Sequence, residues 1–305
     1  MSEPCHFLLD CDPGIDDAFA IFCALEYGHV DAITTVSGNV SIDNTTRNAL
    51  YLLELAGADV PVHRGADRPI RVDPVAADDI HGSSGFGEFP TPEPSGTEEQ
   101  TDAVSAITDY CSDGDAVIVA IGPLTNIALA LKADPTLAGR IAHIHWMGGG
   151  TTRGNVTALA EFNAWCDPDA AALTLGAGIP LTMYDLDLTH QVRMGAPEIA
   201  RLRSTGSEIG DIFATALEFY KLSNREVGLG KAMHDPCAVL GFLRPDLFTF
   251  RSSNIVCDTG DDDQRGRTVV DFSEGKLPHG VAVSADDKEV IELILTAIID
   301  PGGNS

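Results

Sequence analysis

Asp10-Cys11-Asp12-Pro13-Gly14-Ile15-Asp16-Asp17 follows directly on the apolar run Phe7-Leu8-Leu9. The run has the composition of a buried strand, so the acidic stretch falls at a strand end, where a helical pattern then begins. Four carboxylates within eight positions repel one another strongly there. A hard cation with oxygen ligands neutralises them and orders the turn. Asp16 and Asp17 also suit the first turn of a helix, whose dipole favours acids. That alternative leaves Asp10 and Asp12, on the strand side, unexplained.

Outward from this stretch, short β-branched runs alternate with amphipathic segments, the pattern of βαβ units. Strands are expected at 6–11, 32–37, 60–63, 116–121, 141–147 and 180–185, and helices at 17–27, 43–56, 101–112, 124–132 and 168–177. Asp167 is the expected N-cap of the last of these, with Pro168 at its first position. The expected fold class is α/β: a doubly wound, mostly parallel open sheet, Rossmann-like, with helices on both faces. Residues 66–100 and 148–160 lack periodicity and read as long loops, the first on the surface. The last third is more mixed, with helices near 207–222, after 235 and at 286–299, a Gly-containing stretch to 233 and a hairpin at 254–271. We expect one domain over 1–305.

The net charge of -27 excludes a nucleic-acid partner, because a basic face is needed to release phosphate counterions. Of the 46 acidic residues 31 are Asp, and only 5 of the 19 basic ones are Lys, a composition that suits concentrated salt and points to a halophilic surface. The 7 cysteines form no C-x-x-C pair and read as reduced core residues. With no signal-like segment and no apolar run of membrane-spanning length, the expectation is a cytoplasmic protein without a membrane partner.

Ligands of open parallel sheets bind at the carboxyl ends of the strands. Five polar clusters fall there: Asp10 to Asp17, Gly38-Asn39, Ile121-Gly122-Pro123, Met147 to Gly150, and Asp185-Leu186-Asp187. Glu161-Phe162-Asn163 and His234-Asp235 are polar beyond the needs of packing, although each alone is as readily a cap or surface group.

Together these strings resemble the nucleoside hydrolase family, the inosine-uridine preferring type. The matches are DCDPGIDD at 10–17, TTVSGN at 34–39, HGSSG at 81–85, GPLTNIA at 122–128, MGGG at 147–150, GN at 154–155, EFN at 161–163, DLTH at 187–190 and HDPCA at 234–238. They run in family order through nearly the whole chain.

The resemblance implies Ca2+ held by Asp12, Asp17, Asp235 and the backbone carbonyl of Ile121, an all-oxygen set that suits a hard ion. It implies Asp12 as general base on a water held by the ion, Asp16 on the ribose 2′-hydroxyl, Asn163 and Asp235 on the 2′/3′ side, and Asn155 and Glu161 on the 5′-hydroxyl. Asn39 helps to hold the sugar, Met147 and Phe162 line its face, and Asp10 orients the turn. His234 is the candidate acid for the leaving base, and His81 a base contact in the first loop. Near the base only Phe219 and Tyr220 are available as aromatics, and their spacing to His234 does not say which one faces the substrate. Asp185 and Asp187 are left outside the site, as partners of nearby backbone. The implied reaction is hydrolysis of a small-molecule ribonucleoside to ribose and free base by a homodimer or homotetramer. Two rival classes are a metal-dependent phosphohydrolase, which normally brings Lys or Arg to its phosphate, and a noncatalytic nucleoside or ribose binder, which needs neither base nor acid.

Overall fold

The computed structural model describes residues 5–75, 77–87, 91–220, 230–273 and 278–302. Its strands are β1 (His6–Cys11), β2 (His29–Thr35), β3 (Val62–Arg64), β4 (Ala116–Ala120), β5 (Ile141–Met147), β6 (Leu181–Tyr184), β7 (Arg193–Met194), β8 (Lys231–Ala232), β9 (Phe248–Cys257), β10 (Thr268–Asp271) and β11 (His279–Ala285). Nine of them form one sheet in the order β10-β9-β11-β6-β5-β4-β1-β2-β3. From β11 to β3 every neighbouring pair is parallel, and β9 and β10 continue the sheet antiparallel. This is the doubly wound α/β fold expected from the alternating pattern.

β1 shows why the central strands read as continuous apolar runs. Phe7 and Leu9 enter one core while Leu8 enters the other, so both faces of the sheet are buried. On the first face lie the helices Ile15–Tyr27, Ile42–Ala56, Glu208–Phe219, His234–Leu243 and Asp287–Ile299; on the second lie Ala103–Tyr110, Thr125–Ala133 and Pro168–Gly176. Phe213 meets both Phe19 and Phe22 edge-on at 4.7 Å, anchoring helix Ile15–Tyr27 to helix Glu208–Phe219. Such aromatic pairs contribute ~0.5–1.5 kcal/mol each beyond the area they bury. Caps set the helix ends: the Asp167 carboxylate accepts from Ala170 N–H at 3.0 Å with Pro168 following, as expected, and Gly57 closes helix Ile42–Ala56 at φ 66.

The differences from expectation are local. β2 starts at His29 and ends at Thr35, three residues earlier than expected at its start and two at its end. β11 was not foreseen, because Gly280 and Ala282 dilute the β-branched signal of a strand whose place is decided by its neighbours, β6 and β9. The segment 66–100 is more than a surface loop: it contains the one-turn helix Asp78–His81, and both His81 and Phe86 are buried. Six cysteines are buried and free as expected, whereas Cys5 is exposed. The expected continuation of the helix near 207–222 beyond Tyr220, and most of the stretch to 233, lie outside the described residues. Among the described residues no helix is long and apolar enough to cross a membrane.

Candidate active site

Parallel strands bring the carboxyl ends of β1, β2, β4, β5 and β6 to one edge, and the site is built there. Asp17, in the first turn of helix Ile15–Tyr27, folds back over the turn: its Oδ2 accepts from Gly14 N–H at 2.9 Å and its Oδ1 from Asp12 N–H at 3.2 Å. The helix-start reading of the acids therefore holds for Asp17, which also belongs to the charged cluster. Asn39, after β2, donates its backbone N–H to Asp12 Oδ2 at 2.6 Å, and its Nδ2 to Asp12 O and Asp17 Oδ2. Both hydrogens of the Asn39 amide are thus used in holding the turn. Asp12 is pressed between two glycines: a Cβ on Gly38 would lie 2.0 Å from its Oδ2, and one on Gly122 2.7 Å from its Oδ1.

Asp12, Asp16, Asp17 and Asp235 are all buried. Oxygens of Asp16, Asp17 and Asp235 lie within 4.8 Å of one another. Asp12 Oδ1 is buried without a hydrogen-bond partner, as is Asp10 Oδ2, whose sister oxygen accepts from Thr34 and Asn126. Burial, and then the neighbouring carboxylates, push Asp12 and Asp235 far above the usual carboxylate range. Burial raises Asp16 to about 7 and Asp17 to about 6. Four such acids in a dry cluster are stable together only when protonated or when a positive ion lies among them.

Above this floor is a cavity of about 880 Å³. Its lining includes Asp16, Asn39, His81, Ile121, Met147, Asn155, Glu161, Phe162, Asn163, His234 and Asp235, so the residues picked from the sequence converge except for Asp12 and Asp17, which lie beneath. Glu161 caps helix Phe162–Cys166, its carboxylate accepting from the N–H groups of Gly149, Asn163 and Ala164 at 2.8–3.1 Å, and burial raises it to about 7. Asn163 donates from Nδ2 to the carbonyls of Ile121 and Met147, both at 3.1 Å, tying the ends of β4 and β5 together. Ile121 O is thereby already engaged. His81 accepts from Ile15 N–H through Nδ1 at 3.0 Å, and burial lowers it to about 3. The neutral ring then carries its proton on Nε2. His234 Nδ1 is 2.8 Å from the Thr189 hydroxyl, which explains the threonine of the DLTH string.

The sequence reading left one site aromatic open and missed two further residues. Tyr220 lines the cavity together with Asp16, whereas Phe219 packs against Gly87; the choice between these aromatics thus falls to the tyrosine. Arg153 and His190 also line the cavity, 2.9 Å apart, with the His190 ring 5.6 Å from that of His234. Arg153 is held by Asp187 at 3.3 Å. Asp185 and Asp187 bond to the backbone of Thr151 and Thr152 as well as to local groups, so they fix the Gly-rich loop from outside the cavity. No spacing rule links these residues; they meet through the long loop.

The family profile described as inosine-uridine preferring nucleoside hydrolase matches residues 7–292. The chain belongs to this family. It is a ribonucleoside hydrolase, as the names of its relatives agree. It is 39% identical over 298 residues to the pyrimidine-specific ribonucleoside hydrolase RihA of Citrobacter koseri, covering 94% of this chain and 96% of that protein. Among solved structures it is similar to a plant nucleoside hydrolase (TM-score 0.90) and to the purine-preferring ribonucleoside hydrolase of Gardnerella vaginalis (TM-score 0.91). Each is 32% identical, with 98% of this chain and 100% of the other covered.

Proposed function

We propose that this nucleoside hydrolase cleaves the N-glycosidic bond of ribonucleosides to ribose and free base with Ca2+ bound at the acidic floor, the whole chain serving as one catalytic unit. The observation that carries the reading is Asp12: its carboxylate is fully buried, Oδ2 is taken by Asn39 and Oδ1 has no partner. A buried acceptor left in that state costs about 1–3 kcal/mol, and more when charged. The oxygens of Asp12, Asp17 and Asp235 with the Ile121 carbonyl fit a hard cation, because the set contains neither thiolate nor imidazole. When bound, calcium supplies neutralisation of these charges, alignment of the sugar diol and a more acidic water.

The chain's own groups do the rest. Asp12 Oδ1 takes the proton of the water that attacks the anomeric carbon, while Asn39 fixes the other oxygen. Asp16 accepts from the ribose 2′-hydroxyl; Asn163 and Asp235 hold the 2′/3′ side, and Asn155 and Glu161 the 5′-hydroxyl. Met147 and Phe162 cover the sugar, and His81 offers its Nε2–H to the base. Positive charge developing on an oxocarbenium-like sugar faces a ring of carboxylates. His234 protonates the leaving base from Nε2 as the imidazolium, its Nδ1–H donating to the Thr189 hydroxyl oxygen, and is left as neutral imidazole.

The test is release of reducing sugar from inosine, uridine and adenosine, with and without a calcium chelator. Release that stops on chelation and returns with Ca2+ is expected. Phosphate release from a monoester, or binding without turnover, would replace this reading with one of its rivals.

A further inference from the structure

We propose that His6, His29 and Asp31 form a binding site for a divalent transition-metal ion, at the opposite end of the sheet from the cleft. β1 and β2 begin side by side with His6 and His29 as register partners, and the two imidazole centroids are 4.3 Å apart. The register then shifts: Phe7 pairs with Val30 but Leu8 with Ala32, which leaves Asp31 as the inserted residue of a bulge. Bulges re-aim the side chain they carry. Here the carboxylate is brought against both rings, Asp31 Oδ1 lying 2.9 Å from His6 Nδ1 and 3.6 Å from His29 Nε2. One ligating atom from each residue lies within 4.8 Å of the other two.

With bonds of ~2.0–2.2 Å, ligand atoms of a tetrahedral zinc site stand roughly 3.3 Å apart. The two separations at Asp31 bracket that value. Two imidazoles and one carboxylate select Zn2+, Co2+ or Ni2+ over Ca2+, the reverse of the all-oxygen cluster in the cleft. The imidazoles are half exposed and the carboxylate 28% exposed, which leaves room for water to complete the shell. An ion here clips together the starting ends of β1 and β2, whose other ends carry the catalytic turn.

The experiment is calorimetric titration of the calcium-saturated full chain with Zn2+, paired with visible absorption of the Co2+ form. One ion per chain is expected in the native protein. His6→Gln together with His29→Gln should weaken or abolish that binding and erase the cobalt d–d bands, and ribose release from inosine should stay unchanged in the double variant. Equal zinc uptake by the native chain and the double variant, or no uptake by either, overturns the proposal. Should circular dichroism show the double variant unfolded, Asp31→Asn in the same titration decides, by the same criteria.

Discussion

Asp12 stands where it does because neither Gly38 nor Gly122 carries a side chain. A methyl at Gly38 has no room beside the carboxylate, so Gly38→Ala must move Asp12 or its loop, and displacement of about 1 Å at a reacting group costs on the order of 10²-fold in rate. We expect kcat to fall by that amount with a smaller change in KM; kinetics equal to the native enzyme would show that the glycines do not position the base. His234→Ala should lose ~10²- to 10⁴-fold on inosine, whose base leaves poorly, and little on a nitrophenyl riboside, whose leaving group needs no proton. Equal losses on the two substrates would take the histidine out of the leaving-group step. Asp12 and Asp17 stood out in the sequence because like charges at a strand end demand an explanation, whereas Asp235 joined them only through the family resemblance. The choice of Tyr220 over Phe219, and the presence of Arg153, were not legible, since each residue is ordinary in its own segment and acquires meaning only from the cavity and the His190 it meets.

The short helix Phe162–Cys166 depends on Glu161, whose carboxylate serves three backbone N–H groups from a buried position. Burial raises its folded value from 4.5 to about 7, so the native state holds this proton more tightly than the unfolded chain does. Between those two values the native state binds more protons, and the group's contribution to stability is lost as pH rises, at no more than about 1.4 kcal/mol per pH unit. Glu161→Gln removes the titration while keeping an acceptor oxygen. The thermal midpoint of the native chain relative to this variant should therefore fall from pH 5 to pH 7; a constant difference would mean that Glu161 is already ionised throughout. The sequence showed the central parallel strands and their helices through strong periodicity. It concealed β11 and the one-turn helix Asp78–His81, which are held by tertiary partners, β6 and β9 for the strand and the Ile15 amide for His81.

At the scale of the whole molecule, a net charge of -27 on 305 residues means that the folded chain repels itself in dilute buffer. Salt screens that repulsion over ~10 Å at 0.1 M and ~3 Å at 1 M. The thermal midpoint should rise from low to molar salt, by about 2–4 °C for each kcal/mol recovered. A flat profile across that range would show that the surface was not built for concentrated salt. Any association between copies of the chain meets the same repulsion, so light scattering should find association favoured by salt. One more consequence lies in the distance along the chain between Asp17 and Asp235. A polypeptide still leaving the ribosome holds most of its acidic floor long before the helix that begins at His234 has been made. Competence therefore arrives late in synthesis, and a prematurely terminated chain would keep the mutual repulsion of these acids without the carboxylate that completes their grip on a counterion.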